Sequence, residues 1–124
     1  MEWKLVESRK ETSDTKTLRF APKNSVEFKP GQFFLFHDTV NGIQDCRAYS
    51  ASSSPLEDYI EITVKRISAH FSAHLNELKP NRTLEVEGPF GDFFYNEDMK
   101  EIVLIAAGSG IAPLRSIIRH VVGK

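Results

Sequence analysis

Short runs of alternating apolar and polar residues fill most of the first hundred positions of the chain and predict β-strands. Strand-length runs of this kind lie at 3–10, 15–21, 32–37, 46–50, 59–66 and 84–86. Turn-forming residues separate several of them, notably Lys29-Pro30-Gly31 and Asn41-Gly42. Several short strands at this spacing indicate an antiparallel barrel or sandwich.

The apolar spacing changes to a helical period in two places. Phe71, Leu75 and Leu78 stand three or four residues apart and predict a short helix over 68–78. Further on, the continuous apolar run 102–107 predicts a strand covered on both faces, and glycines 108 and 110 follow it. A second helix is predicted from the apolar positions Leu114, Ile117, Ile118, Val121 and Val122. This order of strand, glycine turn and helix is typical of the start of an α/β domain.

Composition narrows the classes of function. The chain has 124 residues, enough for one domain with a real core, and its 16 basic and 17 acidic side chains leave a net charge of −1. Since no long block of like charge occurs, nucleic acid is excluded as an expected partner. A single cysteine, Cys46, excludes an internal disulfide framework. No apolar stretch has the length of a signal peptide core or a membrane span, so we expect a cytoplasmic protein without a membrane partner.

The segment around Arg47 carries the most informative chemistry. In an extended strand Arg47 and Tyr49 project from one face, while Ser50 turns to the other face or to the edge. A guanidinium beside an aromatic ring suits a ligand that has both a phosphate and a flat ring system. The same pattern also describes a surface arginine next to a core tyrosine, and these residues alone leave both interpretations open.

Two further segments are compatible with phosphate binding. Ser72 near the start of the short helix is either a helix cap or part of a diphosphate site. The glycine turn around Ser109 lies between a predicted strand and a predicted helix, where phosphate-binding turns occur, although a lone G-x-G is common. His70 and His74 stand four apart, but no third ligand is evident, so we expect no metal site.

Five ordered motifs together resemble the ferredoxin-NADP reductase superfamily over nearly the whole chain. They are RAYSASSSP, ITVKR, AHFSAHL, EGPFGDF and LIAAGSGIAP. The resemblance implies a mainly β fold: a six-stranded antiparallel Greek-key barrel with one short helix, followed by a truncated βα unit of an α/β nucleotide-binding domain. We therefore expect a flavin-binding barrel domain at 1–99 and the first strand, glycine turn and helix of an NAD(P)-binding domain at 100–124.

The resemblance also implies roles for individual residues. Arg47 would contact the flavin phosphates, Tyr49 would lie against the isoalloxazine ring, and the Ser50 hydroxyl would hydrogen-bond near flavin N5. Tyr49 and Ser50 are thus the implied catalytic residues. Further implied cofactor-binding positions are Ala48, Thr63, Val64, Lys65, His70, Phe71, Ser72 and Ser109. The chain has Ala69 where the family usually has glycine, and Ser109 where it usually has threonine.

The implied function is the flavin-binding portion of an NAD(P)H-dependent oxidoreductase. FAD is the expected cofactor, FMN being the less favoured flavin, and electrons would pass from NAD(P)H to a redox partner protein or a small acceptor. Only the beginning of the NAD(P) site is expected within these residues, so independent catalysis is left open. The alternative is a non-catalytic flavin-binding or interaction module, in which residues 102–122 pack on the barrel, on a second copy as a homodimer, or on a complementing chain.

Overall fold

The computed structural model describes residues 1–67 and 70–124, and within them it contains six strands and two helices. The strands are β1 (Glu2–Lys10), β2 (Thr15–Pro22), β3 (Phe33–Val40), β4 (Ile43–Ser50), β5 (Ile60–Lys65) and β6 (Thr83–Phe90). The helices are α1 (Phe71–Glu77) and α2 (Ile111–Val122). Neither of these two helices combines the length and apolar character needed to cross a lipid bilayer. Ser68 and Ala69, on which the predicted start of the short helix and one departure from the family fall, lie outside the described residues.

The strands form one antiparallel sheet in the order β4-β3-β6-β1-β2-β5. This confirms the predicted six-stranded, mainly β fold. The edge strands β4 and β5 approach each other to within 8 Å between some Cα atoms, but they do not pair in the described part of the chain. The sheet is therefore barrel-like and open rather than closed. Helix α1 contacts both edge strands, so it lies beside the opening.

Alternation along the strands builds the core inside this curved sheet. Along β1, Trp3 and Leu5 are fully buried, whereas the alternate residues Glu2 and Lys4 are exposed. The Trp3 ring lies 4.8 Å from the ring of Phe34, centroid to centroid, in an edge-on arrangement. Tight aromatic packing against β3 gives the neighbouring edge strand β4 a rigid support.

Residues 102–107 do not form the predicted strand, although all of them are described. Val103 and Ile105 are 87% and 89% exposed. An apolar strand of this type is stable only when neighbouring strands take up its hydrogen bonds and other elements cover its faces. Among residues 1–67 and 70–124 no strand lies alongside it, which is the physical reason that the prediction was wrong for this structure.

Helix α2 docks on the barrel through one face. Leu114 and Ile117 are buried, as the helical spacing predicts, whereas Ile118, Val121 and Val122 of the same predicted face are exposed. Arg115 Nη1 donates to the carbonyl of Ser52 at 2.8 Å, and Ser116 Oγ donates to the carbonyl of Ser53 at 2.5 Å. The helix is thus attached to the serine-rich segment that directly follows β4.

Ser116→Ala is expected to lower the free energy of unfolding by about 1 kcal/mol, because the buried Ser53 carbonyl loses its hydrogen-bond donor. Ser109→Ala is the matched control, since Ser109 is exposed and its replacement should change stability by less than about 0.5 kcal/mol. Urea denaturation of the two variants measures both values. Equal stability of the two variants would show that this bond does not hold α2 in place.

Candidate functional site

Arg47 and Tyr49 share the inward face of β4. In the register of the β3–β4 pair, Tyr49 lies opposite Phe34 and Arg47 lies opposite Phe36, and both phenylalanines are fully buried. Residues directly opposite each other on antiparallel strands point to the same face of the sheet. Ser50 pairs with Phe33 at the end of β4 and, by alternation, belongs to the other face.

Tyr49 combines contact with the core and partial exposure. Its ring packs against the core cluster and lies 6.0 Å from the ring of Phe36, centroid to centroid. Burial raises the pKa of the Tyr49 hydroxyl above its ordinary value. The phenol is therefore neutral at physiological pH, and its exposed surface can stack against a flat ring.

Arg47 links β4 to α1. Its Nη1 donates to Asp45 Oδ1 at 2.6 Å and to the Cys46 carbonyl at 2.7 Å. Its guanidinium carbon lies 5.8 Å from the centroid of the Phe71 ring, at the first residue of α1. Both hydrogen bonds start from Nη1, so within the described residues the Nε and Nη2 hydrogens have no protein acceptor and can serve a phosphate.

The start of α1 contributes His70, Phe71 and Ser72. His70 Nε2 lies 3.3 Å from Asp45 Oδ2, on the same carboxylate that binds Arg47. Phe71 is buried in the core cluster. Ser72 is buried, and its Oγ accepts the backbone N–H of Ile67 at 3.1 Å, which ties Ile67 to α1.

The candidate residues of β5 lie on the other side of the opening. Thr63 is half-buried, Val64 is buried and Lys65 is exposed. The Val64 carbonyl accepts Asn76 Nδ2 of α1 at 3.1 Å, so this carbonyl already has a partner. Of these three candidates, Val64 therefore contacts α1 through its backbone.

Two candidates lie apart from these contacts. Ala48 is exposed on β4. Ser109 is exposed in the turn Gly108–Gly110 before α2, and its side chain makes no hydrogen bond to the other candidates within residues 1–67 and 70–124. The structure thus brings together Arg47 and Tyr49 of β4 with candidates from β5 and the start of α1 around the opening of the sheet. It leaves Ala48 and Ser109 outside that group and puts Ser50 on the other face of β4.

Sequence reasoning missed a buried carboxylate close to this region. Glu61 is 1% exposed, and its Oε2 accepts Arg19 Nε at 2.9 Å. Arg9 and Arg115 lie 3.6 Å and 3.5 Å from its oxygens. The Glu61 carbonyl also accepts the backbone N–H of Ser52 at 2.8 Å, so this ion-pair group is attached to the segment after β4 and to α2.

Asp45 was also missed. It stands two positions before Arg47, and the period of two along a strand is the signal that could have identified it, since Asp45 and Arg47 share a face. Nothing in the sequence indicates its second contact, with His70.

Residues 2–95 match the family model described as the oxidoreductase FAD-binding domain. The 2-halobenzoate 1,2-dioxygenase electron transfer component of Burkholderia cepacia is 31% identical over 109 residues, which cover 86% of this chain and 32% of that protein. The chain spans about a third of the length of the curated relatives that it matches first.

Solved structures agree with the sequence comparison. The flavohem-like FAD/NAD-binding domain of nitric oxide dioxygenase from Vibrio cholerae has a TM-score of 0.86 and 27% identity, over 95% of this chain and 55% of that one. A ferredoxin NADP+ reductase from Neisseria gonorrhoeae, solved with bound FAD and NADP, has a TM-score of 0.80 and 26% identity, over 97% of this chain and 50% of that one.

Proposed function

The chain belongs to the family of oxidoreductase FAD-binding domains, and on that premise we propose that it holds FAD at the opening between β4, β5 and α1. Membership confirms the resemblance found in the motifs. One observation supports this position for FAD: the Arg47 guanidinium of β4 lies over the Phe71 ring at the start of α1. The motifs RAYSASSSP and AHFSAHL are therefore in contact with each other.

The donor set fits this cofactor. Arg47 offers two nitrogens, Nε and Nη2, that have no acceptor among the described residues, and a guanidinium edge matches the geometry of a phosphate. Tyr49 offers a neutral, partly exposed ring with firm support from the core behind it. A phosphate-bearing ligand with a flat ring is the chemistry that this pair serves.

The roles follow the family positions residue by residue. Arg47 would bind phosphate oxygens, Tyr49 would lie against the flavin ring, and the Ser50 hydroxyl would hydrogen-bond near N5. Thr63, Val64 and Lys65 adjoin the cofactor through backbone groups, together with Ala48, His70, Phe71 and Ser72. When bound, FAD supplies a ring system that accepts a hydride and releases electrons one or two at a time.

The reaction of the whole protein is an electron transfer. Its donor is NAD(P)H, and its acceptor is a redox partner protein or a small molecule. Support comes from the matched relative in Burkholderia cepacia, which is an electron transfer component. Residues 1–99 form the flavin-binding part, residues 100–124 begin the nicotinamide-binding part with Ser109 at the junction, and the reaction takes place in the cytoplasm.

Titration of the purified chain with FAD tests the proposal. We expect a saturable complex with a shifted flavin absorption band and quenched flavin fluorescence, because the Tyr49 ring stacks on the isoalloxazine. Tyr49→Leu, which keeps an apolar side chain at this position, should retain folding and recover much of the fluorescence. Absence of detectable binding with FAD in large excess would refute the proposed function.

A second candidate function rests on the exposed apolar residues near the end of the chain. Val103, Ile105 and Val122 are strongly exposed, and apolar segments of this size are normally covered. In this alternative the chain is a flavin-binding or interaction module that a second copy or a complementing chain completes through residues 102–122. Sedimentation with hydrogen exchange distinguishes the two: a dilute monomer in which 102–107 exchange rapidly would exclude self-association through this segment.

A further inference from the structure

Asp45 contacts two side chains of the proposed cofactor site, Arg47 and His70. Its Oδ1 accepts Arg47 Nη1 at 2.6 Å, and its Oδ2 lies 3.3 Å from His70 Nε2. The hydrogen bond from Arg47 holds the pKa of the Asp45 carboxyl below its ordinary value, so Asp45 is ionised at neutral pH. A negative charge therefore stands where the cofactor would bring further negative charge.

The carboxylate is also held in place independently of Arg47. Oδ1 accepts the backbone N–H of Cys46 at 2.8 Å. A guanidinium that turns toward a ligand would thus leave Asp45 behind at the same site. A phosphate at Arg47 must then share the guanidinium with Asp45 and remain within a few ångströms of the Asp45 carboxylate. At that distance the two negative charges repel each other even in water.

We propose that Asp45 opposes the flavin phosphates at Arg47 and so lowers the affinity of this chain for phosphorylated flavins. The inference rests on the proposed function, since it presumes that flavin phosphate binds at Arg47. Asp45 acts in two ways: it occupies Nη1, which limits the phosphate to the Nε and Nη2 edge, and it repels the phosphate charge. Asp45 is therefore a residue that sets selectivity between charged and uncharged flavins.

Asp45→Asn tests this inference in the full chain, with FAD, FMN and riboflavin as the probes. Asparagine keeps the size of the side chain and an oxygen for the Cys46 N–H, but it removes the charge. We expect binding of FAD and FMN to tighten by about five- to tenfold. Riboflavin, which has no phosphate, should bind equally well to both proteins. The gain for FAD should shrink as the salt concentration rises.

Two controls separate local competition from a general change in charge. Glu87→Gln removes one negative charge from the exposed face where Glu87 Oε1 meets His37, and it should leave FAD binding nearly unchanged. In the Arg47→Ala background, Asp45→Asn should increase FAD affinity much less than it does in the unsubstituted chain, because Asp45 no longer competes with the phosphate for a guanidinium.

The outcomes distinguish the inference from the proposal beneath it. Equal FAD binding by Asp45→Asn would overturn the inference, and weaker binding would overturn it and make Asp45 a support for Arg47. An equal gain with riboflavin or with Glu87→Gln would overturn it as well. Failure of both the normal chain and Asp45→Asn to bind any flavin would overturn the proposed function and the inference together, whereas FAD binding that Asp45→Asn leaves unchanged overturns the inference alone.

Discussion

Arg47→Ala is expected to weaken FAD binding by about 10- to 100-fold. The variant loses charge-assisted hydrogen bonds from one guanidinium to the phosphates, which contribute roughly 1.5–3 kcal/mol in total, and each 1.4 kcal/mol is about a factor of ten in affinity. Fluorescence titration with FAD measures the loss. Riboflavin should bind the variant and the normal chain almost equally, because the missing contact is to phosphate.

Arg82→Ala is the matched control for this result. Arg82, like Arg47, is an exposed arginine bonded to an aspartate, with 2.7 Å between its Nη2 and Asp38 Oδ2. It lies in the connection between α1 and β6, outside the proposed site. FAD affinity of Arg82→Ala should stay within about twofold of the normal chain. An equal loss in both variants, or none in Arg47→Ala, would remove Arg47 from the site.

Arg19→Met is expected to lower the free energy of unfolding by about 3 kcal/mol. The Glu61 carboxylate is only 1% exposed, and the substitution removes its nearest charged partner. An uncompensated buried charge costs about 3–5 kcal/mol. Arg9 and Arg115 remain 3.6 Å and 3.5 Å away, which puts the expected cost at the lower end. Methionine keeps an unbranched apolar stem at this position, but it also removes the guanidinium carbon that lies 3.8 Å from the centroid of the Tyr59 ring. Urea denaturation measures the change.

A second substitution tests the cause of this loss. Adding Glu61→Met to Arg19→Met removes the buried charge and should recover at least half of the lost stability. Arg66→Met is the control, because the Arg66 and Glu77 side chains of this ion pair are 47% and 70% exposed. Such a pair contributes less than about 1 kcal/mol to the free energy of unfolding. If Arg19→Met cost no more than Arg66→Met, Glu61 would not depend on its arginine, and the ion-pair group would have no structural role.

The predicted strands correspond to observed ones because alternation of apolar and polar residues reports burial of one strand face, a local property. Strand ends were less predictable. β6 was expected to end near residue 86, yet it continues to Phe90, since Phe90 pairs with Phe33 of β3. The partner strand, distant in the sequence, decides where pairing stops.

Residues 102–107 show the opposite error. Their continuous apolar run predicted a strand, because a buried strand has this composition. A strand, however, exists only where a neighbour accepts its hydrogen bonds, and none of the described strands lies beside this segment.

The sequence by itself determined that Arg47 and Tyr49 share one face of a strand, because side chains alternate with a period of two wherever the backbone is extended. It also determined the family, through five motifs in order. Only the tertiary structure decided that the Asp45 carboxylate bridges Arg47 to His70, and that Glu61 meets Arg19 and Arg115, which are 42 and 54 positions away. Periodicity acts over a few residues, whereas the positions of these charges depend on how the sheet curves and where each helix docks.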